Sequence, residues 1–345
     1  MAKLVHSLDT DAFIEPLKLT VREYLDRWLE HAARNAVSAK TFERYKELVD
    51  HHLNPSLGQI LLPKLQPLHV QALYSAKRAS GRKDGTGGLS PQTIVHIHRV
   101  LRAALSQAVK WQMLNRNVAD AVDPPKVTRR EMRALTEHET GNLLSALSGS
   151  KFYIPVLIAV VTGLRRGELL ALRWQDVDLD IGQVTIQQSL EQTKAGLAFK
   201  QPKTSRGRRT IALPLIAVDA LRAHRAGQAA ERLRLGPAFH DQGLVFCKAD
   251  GKAWEPVNFS SDFTALMRRL PITRVRFHDL RHTHASHLLR QGVNPKVVSE
   301  RLGHSTVAFT LDVYSHVLPG MQDDAARRID AALRPVIGES PQRNG

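Results

Sequence analysis

The chain has 345 residues, 43% of them hydrophobic and 24% charged, enough for ordinary globular cores and, at usual domain sizes, for two domains. Its 49 Lys and Arg against 33 Asp and Glu give a formal charge of +16, which points to a polyanion as partner, most often nucleic acid. The single cysteine, Cys247, excludes an internal disulfide and a Cys-based zinc site and fits a reducing cytoplasm, and no apolar run reaches the roughly 18–20 residues of a membrane span.

Residues 1–16 carry little pattern and no signal-peptide core. From Thr20 the order becomes helical. Thr20 and Glu23 have capping-box spacing, and Val21, Tyr24, Leu25, Trp28 and Leu29 repeat at helical period. Further helices are expected in "SAKTFERYKELVDHHL" and "PLHVQALYSAKRA". After the Gly-rich "SGRKDGTGG", Ser90 caps a long helix with Pro91 in its first turn and the stripe Ile94, Ile97, Leu101, Ala104, Leu105 and Ala108. Residues 17–122 are therefore read as a helical domain. The run "VDPPKVTRREMRALT" reads as a basic linker over 123–134, with Lys126, Arg129, Arg130 and Arg133 placed to follow a phosphate backbone.

A second domain is expected over 135–335, with a flexible tail over 336–345. Thr136 and Glu139 repeat the capping-box spacing, and "YIPVLIAVVTG" is an apolar helix leading into "LRRGELLALRW". "GQVTIQQSL" and "RRTIALP" look like strands joined by a turn in "KQPKTSRG". "GLVFCKADGKAWEP" looks like a hairpin turning at Asp250-Gly251. Helices follow. The fold class is mostly α with a small antiparallel sheet, that is, α+β.

The chemistry concentrates in "RFHDLRHTHASHLLRQG", residues 276–292. His278 and His282 are spaced like zinc ligands, but Asp279 stands where the zinc-protease pattern needs Glu, and Arg281 would repel a cation. No metal is expected. His278 and Arg281 share a helix face and suit an anion, since a guanidinium fork matches phosphate oxygens; His284 and His287 read as packing or surface residues. Arg165 follows a glycine where a helix begins, with Glu168 one turn on to hold a neighbouring arginine. Lys203 lies in the inter-strand turn, and "RLGHSTVAFTLDVYSHV" supplies His304 and, ten residues later, Tyr314.

Taken in order, "TGLRRGELLAL", a turn lysine, "HDLRHTHAS" and "RLGHS…DVYSHV" resemble the boxes of the tyrosine recombinase (phage integrase) family, over nearly the whole chain. The resemblance implies a helical core-binding domain followed by a catalytic domain. It also implies a catalytic set of Arg165, Lys203, His278, Arg281, His304 and the nucleophile Tyr314, with Lys194 and Lys200 as alternatives to Lys203. Neither metal nor ATP is implied. The implied partners are double-stranded DNA, a homotetramer on two sites and DNA-bending or directionality factors. Thr41, Arg44, Gln92 and His96 in the first domain, and Arg206, Arg208 and Arg209 on the turn, are candidate DNA contacts. Cellular Xer-like and transposon recombinases share every motif; a type IB topoisomerase or an inactive DNA-binding protein fits less well. Many phage integrases begin with an arm-binding domain of about 60 residues, a size that folds alone. Only about sixteen residues precede the helices here, so the segment reads either as a simple recombinase's start or as a remnant. In the tail, Met321, Ala325, Ile329 and Leu333 form a narrow apolar stripe suited to docking in a groove.

Overall fold

A computed structural model describes residues 18–82, 85–128, 133–202, 207–314 and 321–337. The chain folds as two compact units, Met1–Arg130 and Glu131–Gly345.

The first unit is helical. Helix α1, Val21–Trp28, begins on a full capping box between Thr20 and Glu23 and continues through a π-helical turn, Leu29–Ala33, into Arg34–Ala36. Helix α2, Ala39–Leu48, is capped by Ser38 and passes through a second π-helical turn, Val49–Leu53, into Asn54–Leu57. Helix α3, Pro67–Ala79, and the 20-residue α4, Pro91–Lys110, complete it. The expected stripe of α4 is buried from Ile94 to Ala108 and packs in one core with Val21, Leu25 and Leu53. Each fully buried Val, Leu or Ile side chain among them contributes roughly 1.5–3 kcal/mol.

The second unit opens with α5, Glu137–Ala146, on the expected Thr136–Glu139 capping box. Helix α6, Tyr153–Thr162, is apolar on nearly every face, and Pro155–Ala159 are all buried. A helix apolar all round belongs in a core. Helix α7, Arg166–Leu170, leads to a three-stranded antiparallel sheet of β1, Val177–Asp178, β2, Gln183–Ile186, and β5, Arg209–Ala212, in the order β1-β2-β5. In β2 and β5, Val184 pairs with Ile211, and Ile186 pairs with Arg209.

One expectation needs correcting. The segment between β2 and β5 is not one turn: β3, Ser189–Thr193, and β4, Gly196–Lys200, form their own hairpin. Its sequence, "SLEQTKAGLAFK", alternates too weakly to read as strands because both faces stay largely accessible. Between "RRTIALP" and "GLVFCKADGKAWEP", where the sequence reading assigns no element, α8, Leu215–Leu235, spans 21 residues. Only Ala217, Val218 and Leu221 are buried on it, and its later turns are rich in Ala and Arg, which favour helix without drawing an apolar stripe. The Asp250-Gly251 turn forms as expected, closed by the single bridge Cys247–Ala253.

The remaining helices are α9, Pro256–Arg269, α10, Asp279–Arg290, α11, Pro295–Leu302, α12, Val307–Tyr314, and α13, Met321–Ile337. On α13, Ile329 and Leu333 are exposed. No helix among the described residues is long and apolar enough to cross a membrane.

Candidate active site

Two helix ends build the site. Helix α6 stops at Gly163 and α11 at Gly303, both in the left-handed region, with φ of 68° and 64°. Glycine adopts this conformation without the penalty a Cβ brings. The turns leave the terminal carbonyls of both helices facing arginines. Arg281 donates from one terminal nitrogen to the Gly163 carbonyl (2.8 Å) and from the other to the Leu302 carbonyl (2.7 Å). Arg165 donates to the Gly303 carbonyl (3.0 Å). Helix C-termini carry partial negative charge, so cations are favoured there.

Glu168 ties the arginines together. One carboxylate oxygen accepts from the Arg165 side chain and the other from the Arg165 backbone N–H, at 2.8 and 2.9 Å. Both also accept from Arg209, whose Nε–H reaches the Arg301 carbonyl at 2.6 Å. Burial raises the Glu168 pKa, but the hydrogen bond and charge of Arg209, with the charge of Arg165, outweigh it and hold the carboxyl below its ordinary value. Arg209 was expected among the DNA contacts. Its side chain is only 7% exposed, and its donors are spent on Glu168 and on the Arg301 and Gly207 carbonyls, so it braces the site from inside.

Helix α10 brings the rest. His278 is its N-cap and is exposed; Arg281 and His282, one turn later, are buried. His284 lies within hydrogen-bond distance of the Val160 carbonyl (Nδ1–O 2.8 Å) and His287 of the Leu135 carbonyl (Nε2–O 2.9 Å), so both serve packing. The rings of His278 and His282 meet edge to face, their centres 5.2 Å apart. Nδ1 of His282 is 2.7 Å from the phenolic oxygen of Tyr314. His304 lies just beyond Gly303, its Nδ1 2.8 Å from the Thr310 hydroxyl.

Arg165, Arg281, His278, His304 and Tyr314 therefore share one site. Arg281 is pushed down to about 9, first by burial, then by the charges of Arg165 and Arg209. His304 falls to about 3, by burial and then by Arg281 and Arg165; His282 falls to about 4, by burial and then by His278. His278 is lowered by the protein around it and then by Arg281. Burial raises Tyr314 to about 12, with Arg281 pulling the other way. Three guanidinium groups gather around one carboxylate, and the imidazoles are held neutral. A site with this surplus of positive charge is suited to an anion that brings several oxygens.

Beside it, a groove of about 480 Å3 is lined by Arg208, Lys296, Ser299, His304 and Thr306 among others. A larger open groove, about 850 Å3, lies between β1, β2 and α8 and contains none of these residues.

The sequence profile of the phage integrase family matches residues 133–320, and that of its N-terminal SAM-like domain matches residues 20–77. The chain belongs to the phage integrase family. A XerC-like tyrosine recombinase of Caldanaerobacter subterraneus subsp. tengcongensis is 26% identical, over 90% of this chain and 83% of that protein. The Tn1549 transposon integrase, solved in complex with a circular intermediate DNA, shares the fold: TM-score 0.73, 22% identity, 90% of this chain and 99% of that one. A lambda integrase tetramer solved on a Holliday junction gives a TM-score of 0.60 at 19% identity, over 89% and 82% of the two chains. As a member of this family the protein is a tyrosine-type site-specific recombinase, an enzyme that transfers DNA strands.

The other sequence-named residues of this integrase-family chain are distributed as follows. Lys203, Arg206, Arg129 and Arg130 lie outside the described residues. Of the alternatives to Lys203, Lys200 pairs with Glu191 across the β3–β4 hairpin, and Lys194 lies in its turn. Arg208 is exposed and reaches Gln201, whereas Arg133 pairs with Glu139 at the start of α5. In the first unit, Gln92 lies 3.1 Å from His96, and the charge of Arg44 helps lower His96 after desolvation, so α2 and α4 place these three together. Thr41 bonds back to Ser38 at the cap of α2. Sequence reasoning missed His282 as the partner of Tyr314, Arg209 as a brace, and the two glycine carbonyls. Only the His278–His282 spacing carried a signal, and it suggested a metal.

Gly163 admits no side chain. A Cβ there would stand 2.6 Å from Cδ2 of His284 and 2.7 Å from a Leu302 methyl, on a backbone of positive φ. Gly163→Ala should destabilise the second unit by about 2–4 kcal/mol, from left-handed strain plus overpacking. Urea unfolding measures it, and a loss below about 1 kcal/mol would contradict the packing described.

Proposed function

We propose that this recombinase cuts DNA by attack of Tyr314 on a phosphodiester held by Arg165 and Arg281, and that it integrates or excises a phage or mobile element in a bacterial host. The supporting observation is the buried Arg281, locked onto two helix ends in the same site as Tyr314 and Arg165. A phosphodiester is already anionic, and its transition state gathers more charge on the non-bridging oxygens. Guanidinium forks fixed beforehand stabilise that charge without reorganising, and one such donor is worth about 10²–10³ in rate. His304, neutral and with Nδ1 engaged by Thr310, is the proposed donor of Nε2–H to the same phosphate.

A phenol raised to about 12 needs help to lose its proton. His278 is the proposed base or relay for it, and Lys203 the acid that protonates the departing 5′-hydroxyl. The Tyr314 oxygen bonds to phosphorus as the P–O5′ bond breaks, leaving a 3′-phosphotyrosyl link. That link keeps the energy of the broken bond, so rejoining to a new 5′-hydroxyl needs neither ATP nor metal. Arg208, Arg133 and the Arg44–Gln92–His96 face are proposed phosphate or groove contacts, which would make binding salt-sensitive.

Incubated with a nicked half-site, the wild type should leave an SDS-stable protein–DNA adduct. Tyr314→Phe should leave none while binding DNA within a few-fold of wild type. Adduct persisting in the Phe variant would mean that another residue attacks.

Assembly is proposed as a tetramer on two DNA sites, with α13 docking on the neighbouring protomer. Support comes from the exposure of Ile329 and Leu333 and from the tetramer formed by lambda integrase. Truncation after Pro319 should preserve single-site binding but abolish two-site complexes on native gels. Normal two-site assembly by the truncated chain would refute the docking.

A further inference from the structure

Tyr314 closes a small cluster with Ala285, Leu289, Val298 and Leu302, and is 2% exposed. Its hydroxyl meets the side chain of His282 at 2.7 Å, with the two rings tilted at 49° and their centres 5.8 Å apart. His282 directly follows Arg281 on α10, and Arg281 is pinned to Gly163 and Leu302. One helical turn therefore carries both the phosphate clamp and the group that grips the nucleophile. Any displacement of that turn would move the two together.

We propose that His282 is a positioning residue for strand cleavage: its unprotonated Nδ1 accepts the Tyr314 O–H and thereby fixes the phenolic oxygen, lone pairs outward, at a set distance from Arg281. This rests on the reading of Tyr314 as nucleophile. A hydroxyl has one hydrogen and two lone pairs. With the hydrogen directed to Nδ1, the lone pairs are what an incoming phosphorus meets, and the proton leaves by way of His282 toward His278, whose ring lies against it. With the bond reversed, the hydrogen would be presented and attack hindered. His282 is buried beside Arg281 and the His278 ring, which favours the neutral imidazole, and in its Nε2–H tautomer Nδ1 is the acceptor. A misplacement of about 1 Å between reacting groups costs roughly 10²-fold in rate, so the grip has kinetic consequence.

The test compares His282→Asn with His282→Gln in the full chain, by single-turnover cleavage of a nicked half-site. An Asn amide lies near the place of Nδ1 and a Gln amide near that of Nε2, so the two share chemistry and differ in where the acceptor sits. His282→Gln should cleave at least ~10-fold more slowly than wild type, with DNA affinity and thermal midpoint near wild type. His282→Asn should recover most of the lost rate. His282→Leu, which fills the space without an acceptor, should behave as Gln does. Equal rates for Asn and Gln in a protein that cleaves DNA, or a Leu variant as fast as wild type, would overturn the positioning role alone. A wild type that forms no adduct would overturn the recombinase reading, and this role with it.

Discussion

A buried guanidinium organises the catalytic unit. Arg281 is 3% exposed, and an isolated buried charge of that kind costs several kcal/mol. Two helix C-termini offset the cost. The αL glycines that end α6 and α11 leave the Gly163 and Leu302 carbonyls available, and both bond to Arg281. The compensation is partial, since Arg281 remains pushed down to about 9 with Arg165 and Arg209 nearby. A second partner is therefore favoured, and an anion with several oxygens would supply it. On the proposed function, the geometry that stabilises the free protein is also the one that would receive a DNA phosphate.

Glu168 limits the repulsion. One carboxylate cannot neutralise three guanidiniums, but it can hold Arg209 and Arg165 in register and spare their mutual strain. Removing one partner of a buried pair leaves an uncompensated charge, worth about 3–5 kcal/mol. The imidazoles follow the same electrostatics. His304 and His282 are held neutral by burial and by neighbouring positive groups, and so serve as hydrogen-bonding groups rather than as further cations.

Much of this was legible in the chain because the patterns are local. Capping boxes at Thr20 and Thr136 marked helix starts, the Ile94–Ala108 stripe marked a buried face, and the family boxes located Arg165, Arg281, His304 and Tyr314. What escaped was not local. Arg209 reads as one more turn arginine, and only pairing of β2 with β5 and contact with α7 turn it inward. The His282–Tyr314 bond joins residues 32 apart through packing of α10 and α12, and no spacing announces it. The β3–β4 hairpin and most of α8 lack an apolar face, so periodicity had little to detect.

On the proposed mechanism Arg281 acts through its planar fork, fixed before DNA arrives, and not through charge alone. Arg281→Lys keeps the charge and removes the fork. Single-turnover cleavage of a nicked half-site, at saturating DNA and on protein shown to be folded, measures the difference. The rate should fall by at least ~10²-fold, the scale of one lost preorganised donor, with DNA affinity little changed. A lysine variant that cleaves within a few-fold of wild type would contradict the account.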